Sequence, residues 1–201
     1  MSFIFVPRLV REQDAASEGS IAETQTATLI IKMSNQELDQ KIRNSYIELV
    51  DLCVSEELRS ELRAFFQNLS SYEGHAGFYT TLKFVMSHLD DNGIHFIMGL
   101  DWKASLADLR WRINSCLKDH HNVEVSLPTE DKYSPDTAIS NESIFEDFNS
   151  PLNSVGLQLG FIDTQSDEYV IIIHRCEDRA KVSVAVNGIG YPYFDRNKPV
   201  L

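Results

Sequence analysis

The chain is predicted to be an α+β protein, a small, mostly antiparallel sheet of about four strands covered by five or six helices. Three observations carry that prediction. Several segments repeat apolar residues at helical spacing, short apolar runs rich in β-branched residues sit between turn signals, and the helical patterns crowd the N-terminal half. The organising stretch is Asn92-Gly-Ile-His-Phe-Ile-Met-Gly-Leu-Asp-Trp-Lys103. Asn92-Gly93 is a turn or helix stop, because both residues accept positive φ cheaply. Ile94 to Asp101 then reads as a buried strand, too short and too β-branched for a helix.

The elements before that strand follow from caps and stripes. Ser34-Asn-Gln-Glu37 is a capping box that opens a helix over 35–53, with Leu38, Ile42, Tyr46, Leu49 and Cys53 on one side. Ser55 caps a second helix over 56–69, carrying Leu58, Leu62, Phe65, Phe66 and Leu69. After a loop holding Gly74 and Gly77, a third helix is expected over 77–90 with Phe78, Leu82, Val85, Met86 and Leu89.

Beyond Lys103, Ser105 and Asp108 form an acidic relative of the capping box, opening a helix over 105–118. Leu106, Leu109, Ile113, Cys116 and Leu117 make its apolar stripe, and Trp111 projects from the opposite face. The alternation of Val123, Val125 and Leu127 predicts a strand over 122–127 that Pro128 ends. Ile144, Phe145 and Phe148 begin another helix; Pro151 is expected to kink or restart it, with Leu152, Val155 and Leu159 continuing its face and Gly160 stopping it. Phe161 to Asp163 and Tyr169 to His174 read as a β-hairpin, with 169–174 its buried strand. Residues 177–187 carry both signals: alternating Val182, Val184 and Val186 for a strand, Asp178 and Gly188 as cap and stop for a helix. Helix is expected there, since helices alternate with strands elsewhere. The tail from Gly188 reads as irregular and aromatic.

In domain terms, 1–33 is expected to be a partly flexible N-terminal extension, with a possible strand at Thr28–Met33, and 34–201 a single domain. The predicted core includes Leu62, Phe66, Leu82, Val85, Phe96, Met98, Leu109, Ile113 and Ile172.

Composition excludes more than it selects. Eighteen basic against thirty acidic residues give a net charge of −12, which makes nucleic acid and anionic membrane poor partners and a basic protein a suitable one. The three cysteines, Cys53, Cys116 and Cys176, have no paired spacing and read as free thiols of a reducing compartment. No run approaches the ~18 apolar residues of a membrane span, and the Phe3-Ile-Phe-Val6 run is too short for a signal segment. A cytoplasmic location follows by elimination. The six histidines show no metal-ligand spacing, and neither a nucleophile elbow nor a phosphate-cradling loop occurs. No catalytic residue, metal or cofactor is therefore expected.

The residues that look placed rather than packed are Asp101, Trp102 and Lys103 at the strand end, Trp111 on its helix, and the turn cluster Asp163, Ser166, Asp167 and Tyr169. Ordinary solvated charges and turn chemistry account for most of these residue types. The segment Asp101-Trp-Lys103, with Gly160-Phe-Ile-Asp163 and Ser166-Asp-x-Tyr169 later, resembles an uncharacterised bacterial family, a domain of unknown function. The resemblance covers roughly the last half of the chain and excludes the first 33 residues. Such domains are similar in size and acidity to immunity proteins of bacterial toxin systems, and the family brings no assigned activity to carry over. The resemblance and the charge together imply a small bacterial protein that binds another protein, an immunity-type inhibitor of a basic toxin among the options. A small-molecule site or an enzyme pocket at the end of strand 94–101, lined by Asp101, Trp102, Lys103 and Asp163, is the rival reading. Trp111 admits three covers: another segment of the chain, a second copy forming a homodimer, or a foreign partner.

Overall fold

The computed structural model describes residues 38–134, 137–141 and 143–195. Along these residues the chain runs α1 (Gln40–Cys53), α2 (Glu56–Gln67), α3 (Thr81–Asp91), β1 (Met98–Asp101), α4 (Leu106–Cys116), α5 (Ile144–Asn153), β2 (Leu157–Ile162), β3 (Glu168–Arg175), α6 (Arg179–Gly188) and β4 (Tyr193–Phe194). The expected α+β class is present: six α-helices among the described residues and one four-stranded sheet. The strand order is β1-β3-β2-β4, and every neighbouring pair is antiparallel. The possible strand at Thr28–Met33, the Ser34 capping box and the Phe3 run lie outside the described residues.

Helices cover both faces of this sheet, and β3 shows why. Its Val170 and Ile172 join the core formed by α1, α2, α3 and α6, while Ile171 and Ile173 join the core formed by α4 and α5. A strand buried on both faces has no polar side to show, which accounts for the unbroken Val170–Ile173 run. The nine residues expected in the core are all buried.

The helix stripes hold, and several boundaries move. Asp39 caps α1, its Oδ1 accepting from the Lys41 N–H at 2.8 Å, so Leu38 and Asp39 precede the helix. Helix α3 starts at Thr81, not at 77, because the preceding residues wind into a loop in which Tyr79 takes a φ of 65°. Thr80 caps it, accepting from the Lys83 N–H at 3.1 Å. The Ser105 cap of α4 is as expected: its Oγ accepts from the Asp108 N–H at 3.1 Å and donates to the Asp108 carboxylate at 2.9 Å.

The central strand is half its expected length. Ile94 to Ile97 are buried but irregular, since they carry the chain from one face of the sheet to the other: Phe96 and Ile97 join the core of α1, α2, α3 and α6, whereas Met98 joins that of α4 and α5. Residues 122–127 do alternate in burial, but no strand pairs with them, so they are not a strand. The fourth strand is β4, within the tail expected to be irregular. Pro151 does not restart α5; it sits in the last turn, where its missing N–H costs one hydrogen bond near the helix end. Val155 is exposed and Gly160 lies mid-strand in β2, not at a helix stop. Residues 179–188 are helix, as expected. Gly188 is its last residue rather than the stop, and Gly190 with φ +99° takes the left-handed turn.

Candidate functional site

The turn between β2 and β3 and the end of β1 are the two places where the sequence singles out polar residues, and pairing brings them together. Leu100 faces Tyr169 and Asp101 faces Glu168 across the β1–β3 ladder. The ladder continues one step further, the Trp102 N–H donating to the Asp167 carbonyl at 3.2 Å. Asp101, Trp102, Asp167 and Tyr169 thus share one corner of the sheet.

Each residue's local role is clear. Asp101 Oδ1 accepts from the Lys103 N–H at 2.8 Å, and its carbonyl accepts from Ala104 at the same distance, a tight turn that throws Trp102 outward. Trp102 is 39% exposed, with the Lys103 ammonium 4.6 Å from its ring centroid. Asp163 Oδ1 accepts from the Gln165 N–H at 3.0 Å, which supports Gln165 at a φ of 55°. Its own N–H donates to the Pro192 carbonyl at 2.9 Å. Tyr169 packs edge-on to Phe145, and burial raises its hydroxyl pKa. The side chains of Asp101, Trp102 and Lys103 are all exposed.

Two elements complete the corner that sequence reasoning missed. Lys83 on α3 forms an ion pair with Glu168, joining the start of that helix to the start of β3. Glu168 keeps Oε1 buried without a hydrogen-bond partner. Just before α3, the loop Tyr72–Tyr79 closes on itself through Gly74 N–H to the Tyr79 carbonyl at 2.9 Å and Tyr79 N–H to the His75 carbonyl at 2.8 Å. Tyr79 is held there in a left-handed backbone conformation with 73% of its surface exposed. For a bulky aromatic that conformation costs about 1–3 kcal/mol, so the surrounding hydrogen bonds must impose it. Thr80 and Thr81 anchor this loop: the Thr80 side chain lies beside the Tyr191 hydroxyl, and the Thr81 N–H donates to Glu73 Oε1 at 2.8 Å. The signal for Tyr79 was the pair Gly74 and Gly77 followed by two threonines. The Phe78 stripe hid it by suggesting helix through that point.

Trp111 stands apart from this corner. It is 56% exposed on α4, with His95 edge-on to its ring at 4.9 Å and the Arg112 guanidinium 5.9 Å away. Arg112 itself grips Asp90 with two hydrogen bonds of 2.8 and 3.2 Å. Among the described residues, no group of three or more His, Cys, Asp or Glu side chains could hold a metal ion. Nor is any described helix long and apolar enough to cross a membrane.

The model of one protein family, described as a domain of unknown function (DUF6630), matches residues 37–196. The chain belongs to this family. The match takes in the helical first half of the domain as well as the sheet, so it is wider than the last half of the chain, and residues 1–33 fall outside it as expected. Within the family region lie the whole corner, the Tyr79 loop and Trp111. No curated protein and no solved structure matches the chain.

Proposed function

We propose that this protein, read as a bacterial cytoplasmic one, works by binding a basic protein through the corner formed by the Tyr79 loop, Asp101–Lys103 and the Asp163–Glu168 turn. The single observation that supports this most is Tyr79, a large aromatic fixed in a strained backbone conformation with 73% of its surface in solvent. Holding an aromatic open at such a cost is wasteful in a free surface loop and useful in a binding anchor, where rigid aromatics carry much of the affinity. Trp102 adds a second aromatic. Asp101, Asp163, Asp167, Glu73 and Glu168 outnumber Lys83 and Lys103 around them, which suits a cationic partner and fast, salt-sensitive association. An immunity-type inhibitor of a basic toxin is the form of this function that the charge and the family's resemblance to small acidic immunity proteins favour.

The test is affinity capture by the wild-type chain and by the Tyr79→Ala, Trp102→Ala double variant, at low and high salt. The expected result is one basic protein retained by the wild type, lost from the variant and weakened by salt. Equal retention by both proteins would reject the corner as the binding surface, and retention of the chain's own second copy would make it a homodimer interface.

A further inference from the structure

Three histidines, His95 beneath Trp111 and His120 and His121 at the end of α4, carry buried ring nitrogens without a hydrogen-bond partner. Helix α4 does not stop at Cys116; it widens into a π-helical turn, Leu117–His121, which Asn122 closes at a φ of 51°. Such turns are rare and mark places where a helix is distorted for a purpose. In this one His120 is buried, 8% exposed, and neither of its ring nitrogens has a hydrogen-bond partner. His95 is equally buried, with Nδ1 unpartnered beneath the Trp111 ring, and His121 Nε2 is buried and unpartnered as well. The His121 ring lies against β3, within electrostatic reach of the Ile173 carbonyl two residues past the point where β1 pairing ends, and of His174 and Arg175. A shared metal ion would satisfy such nitrogens, but these side chains do not converge to hold one.

Neutral imidazoles can be sheltered here, whereas an imidazolium would lie buried without an acceptor. We propose that Leu117–His121 is an acid-operated latch, clamped on β3 while its imidazoles are neutral and released when His120 takes up a proton. The groups around His120 set the direction. Burial is the main cause that holds its pKa down, to about 4; His121 and, more weakly, His95 act the same way, and Asp119 opposes them. His121 is likewise held below its ordinary value, chiefly by burial and also by Arg175 and His174 of β3, with the Ile173 carbonyl acting the other way. The Phe96 ring meets His120 edge-on at 6.5 Å, so the first core is the neighbour that opening would expose.

Amide hydrogen exchange on the full-length chain, expressed as protection factors from neutral pH down to about 4, reads the latch directly. Protection at residues 117–122 and at Ile173 should fall at least about tenfold further than it does in α1 and α2. His120→Phe, which fills the site with a ring that cannot titrate, should abolish that local loss. Protection falling together across the whole domain would mean ordinary acid unfolding and would overturn the latch, as would the same local loss in His120→Phe. The wild type also decides the matter by itself if that variant does not fold. The His120 imidazole resonances must then titrate in step with the loss of protection, and a latch that opens while His120 stays neutral overturns the proposal.

Discussion

Gly188 on α6 lies so close to Ser45 on α1 that a methyl group added at Gly188 would sit 2.1 Å from the Ser45 hydroxyl and 2.9 Å from its Cβ. The Ser45 hydroxyl is already engaged, donating to the Lys41 carbonyl at 2.9 Å. These two small residues set the spacing at which the first and last helices seal the same core.

Gly188→Ala should therefore destabilise the fold by about 1–3 kcal/mol through overpacking, despite alanine's better helix propensity. Ser45→Gly in the same chain should return part of that loss. Thermal melts of the two variants check it, and a Gly188→Ala melt at or above the wild-type midpoint would show that the helices can part freely.

The cysteines should separate into two classes on alkylation. Cys176 is exposed and should react in the native protein. Cys53 and Cys116 are buried, and burial pushes the Cys53 thiol up to about 12 and the Cys116 thiol well above its usual value. Intact-mass analysis should show one label on the native chain and three on the denatured, unreduced chain. Fewer than three under denaturing conditions would reveal a disulfide.

Stability should fall on mild acidification. His120 in the folded chain has its pKa lowered from 6.5 to about 4, so the unfolded chain takes up this proton first as pH drops. The stabilisation is complete above about pH 6.5 and is lost progressively towards pH 4, a loss of order 3 kcal/mol from this residue. Urea midpoints across that range should decline in the wild type and decline less in His120→Phe. A flat profile would show that His120 is solvated in the native state.

The aromatic on α4 has a simple expected behaviour. The described residues leave Trp111 56% exposed, so Trp111→Ala should cost less than about 1 kcal/mol. Light scattering on the same variant reports whether a second copy uses this face. A large drop in the melting midpoint would show that the ring is covered in solution.

The helices and their buried stripes were legible because each buries one face, and the 3.6-residue period records that directly. The Ser105 cap was legible for the same local reason. Boundaries set by the rest of the fold were not. Ile94 to Ile97 look like strand by composition, yet crossing between two cores leaves them no partner. Val123 to Leu127 keep the two-residue period of burial with no ladder beside them, and period alone cannot report hydrogen bonding. Tyr193 and Phe194 become a strand only because Phe161 and Ile162 lie next to them. At the candidate site the two polar clusters stood out separately, while their meeting depends on β1–β3 register. Tyr79 was hidden because its importance lies in a backbone angle rather than in its residue type.

The most direct measurement of the binding surface is photo-crosslinking from the full-length chain in its native cells, with a photoreactive aromatic placed at position 79 or 102. Position 184 serves as the control, since Val184 is 66% exposed on α6 and lies outside the corner. The corner predicts a discrete adduct with one basic protein from positions 79 and 102, absent from 184. No discrete adduct from the corner, or the same adducts from all three positions, would contradict it.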